Sequence, residues 1–344
     1  MKKILFICGS MNQTTMLHQV SEHLEGYDKY FSAYYCDGIE RIAQRMGLLN
    51  FSVLGVKFKR RTDAYLKAHR LKNDFEGRSH DYDLVVTCSD LVVPKNTRDK
   101  KMVLVQEGMT DPENLTYRIV RKFNLPRYFA STSTTGISNM YTKFCVASEG
   151  YKELFARKGA DRDKLIVTGL PNFDDCQTYL DNNFPHRNYV LVCTSDARET
   201  YKYENRKKFI KKVMRIADGK QIIFKLHPNE NVPRATREIN KWAPGALVYS
   251  VGNTNHMIAN CDTLITKFST VVYVGLALDK EVYSEFPLEE LKELTPIQNG
   301  GASAKNIAEV CRGLLEGNEY NIPTNGKSDQ EQTKTFSKSY SAAR

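Results

Sequence analysis

Two consecutive series of short apolar runs, each run followed by a helical pattern, constrain the fold of this chain most strongly. Short continuous runs that alternate with helices are typical of a parallel sheet covered by helices. The polar segment 178–188, which contains a proline, separates the two series. The sequence therefore predicts an α/β protein with two doubly wound, Rossmann-like domains that face a shared cleft, residues 1–180 and 188–315.

The first residues of the chain and its cysteines predict a cytoplasmic protein. The first apolar run, 4–8, is shorter than the hydrophobic region of a signal peptide, and Gly-Ser follows it at once. Cysteines such as Cys8, Cys88, Cys193 and Cys261 lie in or beside strand-like runs and form no CxxC pair, which is typical of reduced core thiols. Residues 324–344 carry few apolar side chains and are predicted to be disordered.

The net charge of +10 is concentrated in the basic clusters 56–72, 117–129 and 203–215. Each cluster can be a solvated helix face, or it can meet an anionic substrate, an anionic membrane or nucleic acid. Nucleic acid is not expected, because no recognisable binding motif or array of stacking aromatics occurs. The first two clusters mix Lys and Arg with Phe, Tyr and Leu, which favours an anionic glycan or peripheral contact with anionic lipid at the inner face of the membrane.

The candidate site residues all follow predicted strands. In doubly wound sheets, ligands bind beyond the carboxyl ends of the strands. Two of the candidates are assigned catalytic roles, Glu107 and His227, and the others are assigned to nucleotide-sugar binding. These others are Gly9, Ser10, Gly108 and Asn172 in the first domain, and Thr194, Ser195, Arg198, Lys225, Pro228, Ser269 and Thr270 in the second.

Glu107 and His227 are predicted to act on protons and charge. Glu107 follows a buried run in VQEGM, where a carboxylate can accept a proton from a substrate hydroxyl, and Gly108 would allow an unusual turn. The alternative is a structural or helix-capping Glu. In KLHPNE, His227 with Lys225 nearby can donate to a phosphate oxygen and stabilise a leaving nucleotide. A purely structural His is the alternative here.

The remaining motifs predict phosphate contacts. Ser269 or Thr270 would cap the helix that follows, and free backbone N–H groups at a helix start attract phosphate. Arg198 would form a bidentate pair with phosphate or a surface salt bridge. The sequence contains no Walker, GxGxxG or GxSxG motif, and no DxD-like pair follows a predicted strand. We therefore expect no cofactor and no metal, with the nucleotide held by helix ends and side chains.

These motifs resemble the GT-B superfamily of nucleotide-sugar enzymes. Bacterial sialyltransferases and polysaccharide transferases carry acidic-Gly, His-Pro and Ser/Thr motifs, which are similar to Glu107-Gly108, His227-Pro228 and Ser269-Thr270, although Gln106 stands where an acidic residue is usual. Teichoic-acid glycerophosphotransferases are similar around LHP and the Ser pair, but their His-Gly motif is missing from this chain.

UDP-N-acetylglucosamine 2-epimerases are the second branch that this chain resembles. TSDARET, VQEGM and LHPN are similar to three of their motifs. Two features depart from that family. Tyr273, Val274 and Gly275 stand in the region of its glutamate pair, one member of which holds the ribose, and Asp196-Ala197 replaces its His-Arg pair.

The resemblance implies three functional hypotheses. The first is a metal-independent glycosyltransferase that moves a sugar, with a CMP-activated acidic sugar favoured over a UDP-sugar, from a nucleotide donor to a glycan or glycolipid acceptor at the cell surface. The second is an epimerase that acts on a UDP-sugar and needs no acceptor. The third is a non-catalytic glycan- or nucleotide-binding protein of the same fold.

Overall fold

The computed structural model describes residues 1–50, 52–200 and 203–319. The predicted disordered segment 324–344 lies outside these residues. The first part of the chain contains β1 (Lys3–Cys8), α1 (Met11–Glu22), β2 (Asp28–Ala33), α2 (Gly38–Arg45), α3 (Val56–Ala68), β3 (Leu84–Thr87), β4 (Lys101–Val105), α4 (Leu115–Lys122), β5 (Lys143–Val146), α5 (Glu149–Lys158) and β6 (Leu165–Val167).

The second part begins after a short 3₁₀ segment at Cys176–Leu180. It contains β7 (Val190–Cys193), α6 (Arg206–Ala217), β8 (Ile222–Lys225), α7 (Val232–Trp242), β9 (Leu247–Tyr249), α8 (Thr254–Asn260), β10 (Thr263–Ile265), α9 (Val271–Ala277), β11 (Glu281–Tyr283), α10 (Leu288–Leu294) and α11 (Ser303–Glu316).

The strands form two separate sheets in which every pairing is parallel. The six-stranded sheet has the order β2-β1-β3-β4-β5-β6, and the five-stranded sheet has the order β11-β10-β7-β8-β9. The strands β3, β7 and β8 are buried along their whole length, because helices cover both faces. The predicted fold class, two doubly wound units, is confirmed.

The last helix departs from the predicted layout. Residues 188–315 were assigned to the second domain, but α11 packs on the first sheet, where Ile307 and Cys311 join the core around Val103. The Lys101 side chain also donates to the carbonyl of Leu314. The apolar face of α11 is buried here because the first sheet offers the matching uncovered surface, which local sequence does not reveal.

Local capping sets the start of α1 at Met11. Ser10 is its N-cap. The Ser10 hydroxyl oxygen accepts the backbone N–H of Gln13 at 3.1 Å, and the Gln13 side-chain oxygen accepts the backbone N–H of Ser10 at 3.3 Å. This reciprocal capping box satisfies two amides that a helix start leaves unpaired. The basic stretch that follows β2 forms two helices, α2 and α3, separated by turns.

All eight cysteines are buried free thiols, in agreement with the interpretation as core residues. Within the described residues, no helix combines the length and apolar character that crossing a bilayer requires.

Candidate active site

A cleft of about 460 Å³ lies between the two sheets, at the carboxyl ends of their strands. Both sheets contribute to it, because the turns that follow the strands of a parallel sheet all lie at the same edge of that sheet. Seven of the residues that the sequence selected line this cleft: Asn172, Thr194, Lys225, His227, Pro228, Ser269 and Thr270.

The His227 ring is oriented by its own loop. Its Nδ1 accepts the backbone amide of Asn229 at 3.2 Å, so the proton of the neutral ring lies on Nε2. Nε2 has no hydrogen-bond partner in the described part of the chain and can donate to a ligand in the cleft. The carboxylate of Asp196 lies 3.6 Å from Nδ1 and would attract the ring once it is protonated.

Glu230 holds the His227 loop in place. Its fully buried carboxylate accepts the Thr194 hydroxyl and the His227 amide, the latter at 3.2 Å, and it pairs with the guanidinium of Arg206. A buried carboxylate is stable only when it is paired and hydrogen-bonded in this way. Glu230 lies within KLHPNE but was not selected from the sequence as a site residue, since its partners lie on other elements.

Lys225 is a buried cation at the end of β8, with 6% of its surface exposed. Its Nζ donates to the carbonyls of Leu226 at 3.0 Å and Ser250 at 3.5 Å, and it forms no ion pair with a described residue. Burial lowers its pKa, because the charged form loses hydration. An anion in the cleft would offset this penalty.

Ser269 and Thr270 lie at the start of α9 but do not cap it as predicted. Thr270 has helical backbone angles, and its side chain makes no capping hydrogen bond. The carbonyl of Ser269 accepts the Val272 amide at 3.1 Å. Because neither hydroxyl is used as a cap, both are available to a ligand in the cleft.

Glu107 is held at the start of α1, beside the cleft. The Ser10 hydroxyl and the Gln13 amide group each donate to one of its carboxylate oxygens at 2.6 Å. Two donors of this kind fix the carboxylate, and they suit a structural role as well as an oriented base. Glu107 is not among the residues that line the cleft.

Gly108 is required by a close approach between the domains. A Cβ atom at this position would lie 2.8 Å from the Thr270 methyl group. Its backbone does not adopt a positive φ, so the unusual turn that we predicted is not the reason for a glycine. The loop that carries Glu107 therefore contacts the start of α9 directly.

Gly9 and Ser10 position α1 and do not line the cleft. A Cβ atom at Gly9 would lie 2.2 Å from the Gln13 side-chain oxygen, and the Gly9 carbonyl accepts the Thr62 hydroxyl at 3.2 Å. Asn172 does line the cleft, and its amide donates to the side chain of Asn12.

Ser195 and Arg198 point to protein partners instead of the cleft. Arg198 forms a bidentate pair with Glu238, with both distances 2.8 Å, and this pairing raises the Arg198 pKa. The Ser195 hydroxyl donates to Glu204 at 3.0 Å. For Arg198 the structure supports the salt bridge that the sequence left open as an alternative to phosphate binding.

Several cleft residues were not selected from the sequence. They are Asn12, Thr15, Phe173, Tyr179, Cys193, Leu226, Thr254, Asn255 and Val271. Asn12 follows β1, so the strand-end rule would have found it, whereas Phe173 and Tyr179 lie between the domains where no periodic signal exists. Among residues 1–50, 52–200 and 203–319, no group of three or more His, Cys, Asp and Glu side chains is arranged to hold a metal ion.

No protein-family model and no curated protein matches this chain. Solved structures match almost its whole length. A complex of S. aureus MnaA with UDP is 11% identical, with a TM-score of 0.60, over 92% of this chain and 97% of that one. UDP-GlcNAc 2-epimerase from Neisseria meningitidis, bound to UDP-GlcNAc, is 13% identical, with a TM-score of 0.54, over 98% and 100%.

The wall teichoic acid polymerase TagF is also similar. It is 10% identical to this chain, with a TM-score of 0.50, over 92% of this chain and 89% of that one. At these identities the likeness shows the fold. The chain has the GT-B fold, as the resemblance of its motifs implied.

Proposed function

We propose that this protein is a glycosyltransferase that moves a sugar from a nucleotide donor to a glycan or glycolipid acceptor. The observation that carries the proposal is that Lys225 and His227 line the same cleft. Lys225 is a buried cation without a carboxylate partner among the described residues, and His227, two residues further on, carries an N–H donor that no described residue accepts. Together they favour a ligand with a negatively charged phosphate.

The chemistry follows from this arrangement. As the bond between the sugar and the phosphate breaks, negative charge grows on the phosphate oxygen, and His227 donates to it. Lys225 and the hydroxyls of Ser269 and Thr270 hold the other phosphate oxygens. Glu107 takes the proton of the acceptor hydroxyl that attacks the sugar. By resemblance a CMP-activated acidic sugar is favoured as the donor, and no metal or other cofactor is part of this mechanism.

A UDP-sugar 2-epimerase is the second candidate, because the structure of a UDP-GlcNAc 2-epimerase bound to UDP-GlcNAc shares this fold. Against it, a tyrosine stands in the region where the epimerases place a carboxylate. The side chain of Tyr273 is also fully buried and hydrogen-bonded to Tyr151, so it does not reach a ligand in the cleft. An epimerase would convert its donor without any acceptor, and a non-catalytic binder would convert nothing.

Thermal unfolding with a panel of CMP-, UDP-, CDP- and GDP-linked sugars tests the proposal. A donor at about 100 times its dissociation constant adds roughly 2.7 kcal/mol to the free energy of unfolding. The donor that stabilises the protein is then incubated with and without glycan acceptors. Transfer only with an acceptor supports the proposal, whereas isomerisation of the donor alone supports the epimerase. A panel without any stabilising donor contradicts both.

The identity of the acceptor determines where in the cell the protein acts. A glycolipid acceptor would require peripheral contact with the inner face of the membrane, for which the basic segments 56–72 and 117–129 are the candidates from sequence.

A further inference from the structure

The first domain exposes two rows of large apolar side chains. One row lies on α2 and the turn after it, and the other lies on α4 and the segment after it. Their members are Ile39, Ile42, Met46 and Leu48 in the first row, and Leu115, Ile119, Phe123, Leu125 and Phe129 in the second. We call these nine side chains the apolar face. Leu115 is 72% exposed and Phe123 is 64% exposed, so packing within this chain does not account for an apolar residue at either position.

The spacing of the second row shows that α4 is amphipathic with its apolar side outward. Leu115, Ile119 and Phe123 recur every four residues and share one side of the helix. The opposite side carries Tyr117 and Val120, which are buried against the domain. A helix that only covered the core would carry polar residues at the three exposed positions.

The two rows are held against the same loop. Asp37, at the start of α2, accepts the backbone amide of Lys95 at 2.5 Å. Arg127, after α4, pairs with Asp90 at 2.9 Å. The rows therefore belong to one region of the surface.

Basic residues occur in the segments that carry the apolar face and at the start of α3. Segments 38–48, 56–61 and 115–129 contain ten Lys and Arg residues and one acidic residue, Glu40. Arg45, Arg118 and Lys122 form no ion pair with a described residue. Apolar side chains interleaved with unpaired cations match a bilayer with anionic head groups, where the cations stay at the phosphates and the apolar groups enter the acyl boundary.

We propose that α2 and α4 form a monotopic membrane anchor, in which the apolar face inserts into the interfacial region of an anionic lipid bilayer. This inference deepens the proposed function, since it gives the glycolipid acceptor a surface from which to enter the cleft. Lys57, at the start of the adjacent basic helix α3, donates to Asn229 at 3.4 Å, two residues from His227. The α3 helix, which follows α2 in the chain, thus contacts the loop that carries His227.

Co-sedimentation of the full chain with phosphatidylglycerol-containing vesicles tests this anchor, with phosphatidylcholine vesicles in parallel. Ile119→Glu with Phe123→Glu introduces charge into the apolar face at two exposed positions. We expect this pair to lower the partition coefficient at least about tenfold, because two large apolar side chains lose their burial. Part of the wild-type binding should persist at about 1 M salt, where the Debye length is about 3 Å and charge attraction is screened.

Two further variants separate insertion from other causes. Met214→Glu with Val251→Glu places the same charges at exposed apolar positions of the second domain and should leave vesicle binding unchanged. Arg118→Gln with Lys122→Gln should weaken binding at low salt while the salt-resistant part persists.

Three results would overturn the anchor. The first is that the Ile119→Glu, Phe123→Glu variant binds vesicles as well as the wild type does, and the second is that the wild type binds neutral and anionic vesicles equally. The third is that the Ile119→Glu, Phe123→Glu variant changes its oligomeric state without any change in vesicle binding. The last result would assign the face to a second protein copy. Donor stabilisation is measured on the same variants without lipid. Loss of vesicle binding with unchanged donor stabilisation therefore tests the anchor independently of the proposed transferase.

Discussion

The hydroxyl groups of Tyr151 and Tyr273 lie 2.6 Å apart, and both side chains are fully buried. Tyr151 belongs to α5 of the first domain, and Tyr273 belongs to α9, which begins directly after Ser269 and Thr270. This hydrogen bond therefore joins the first domain to the helix that borders the cleft. One continuous apolar core surrounds the pair, so the two domains share buried surface at this point.

Removing the hydroxyl group of one of these tyrosines should lower the free energy of unfolding by more than half of what removing both hydroxyl groups does. Tyr273→Phe leaves the Tyr151 hydroxyl buried without its partner, which costs about 1–3 kcal/mol of unfolding free energy. The double change Tyr151→Phe with Tyr273→Phe should cost less than the sum of the single changes. Urea unfolding measures all three, and Tyr203→Phe, at a position 90% exposed, is the matched control.

His227→Ala should lower turnover by about 10² to 10³ while the fold persists. The loss corresponds to removal of one preorganised donor to the departing phosphate. The side chain is 37% exposed, so its packing contribution is small. Steady-state transfer rates with the donor found by thermal unfolding are the measurement. His256→Ala removes a nearby His that does not line the cleft, and normal turnover in that variant with normal turnover in His227→Ala would refute the assigned role.

Glu107→Gln separates a base from a structural carboxylate. The amide keeps the shape of the side chain but cannot accept a proton, so transfer should fall steeply while donor affinity stays within a few-fold. Ser10→Ala removes one of the two donors to Glu107 and keeps the carboxylate, and it should retain much more activity. A collapse of donor binding in Glu107→Gln would instead show that Glu107 contacts the nucleotide sugar.

Lys225 should make the unfolding free energy depend on pH. Its folded-state pKa lies below the ordinary value of 10.5, so the unfolded chain binds this proton more tightly than the native protein does. Stability contributed by this group therefore rises with pH between the lowered pKa and 10.5. The free energy of unfolding of the wild type, minus that of Lys225→Met, should increase over this range.

A bound donor should reduce this pH dependence, because its phosphate restores the affinity of Lys225 for the proton. Lys241→Met, at an exposed position of the second domain, is the control and should show no such change. Parallel pH profiles for the wild type and Lys225→Met would show that this lysine is not the buried cation of the cleft.

Arg198→Gln should leave donor affinity within a few-fold of the wild type. The guanidinium is occupied by Glu238, and the loss of this partly exposed pair should lower stability by at most about 1 kcal/mol. Glu238→Gln breaks the same pair and serves as the matched variant. A sharp loss of donor binding in Arg198→Gln, or a gain in Glu238→Gln, would restore the phosphate role that the sequence suggested as one alternative.

The position of His227 illustrates what could be predicted from the sequence. An apolar run that ends at Lys225 marks a buried strand, and the strand-end rule then places His227 and Pro228 at the cleft. Ser269, Thr270 and Asn172 follow from the same reasoning. The role of Glu230 could not be predicted, since its partners Thr194 and Arg206 lie on two other elements.

Periodic patterns by themselves determined that this chain forms two parallel sheets covered by helices, because strand and helix periods depend on neighbouring residues. Only the tertiary structure decided that α11 returns to the first sheet, that Arg198 meets Glu238 40 positions away, and that Gly108 lies against Thr270. It also decided that the apolar side of α4 faces solvent. Each of these outcomes depends on which surfaces meet after the chain has folded, and long-range packing of this kind leaves no local periodic signal in the sequence.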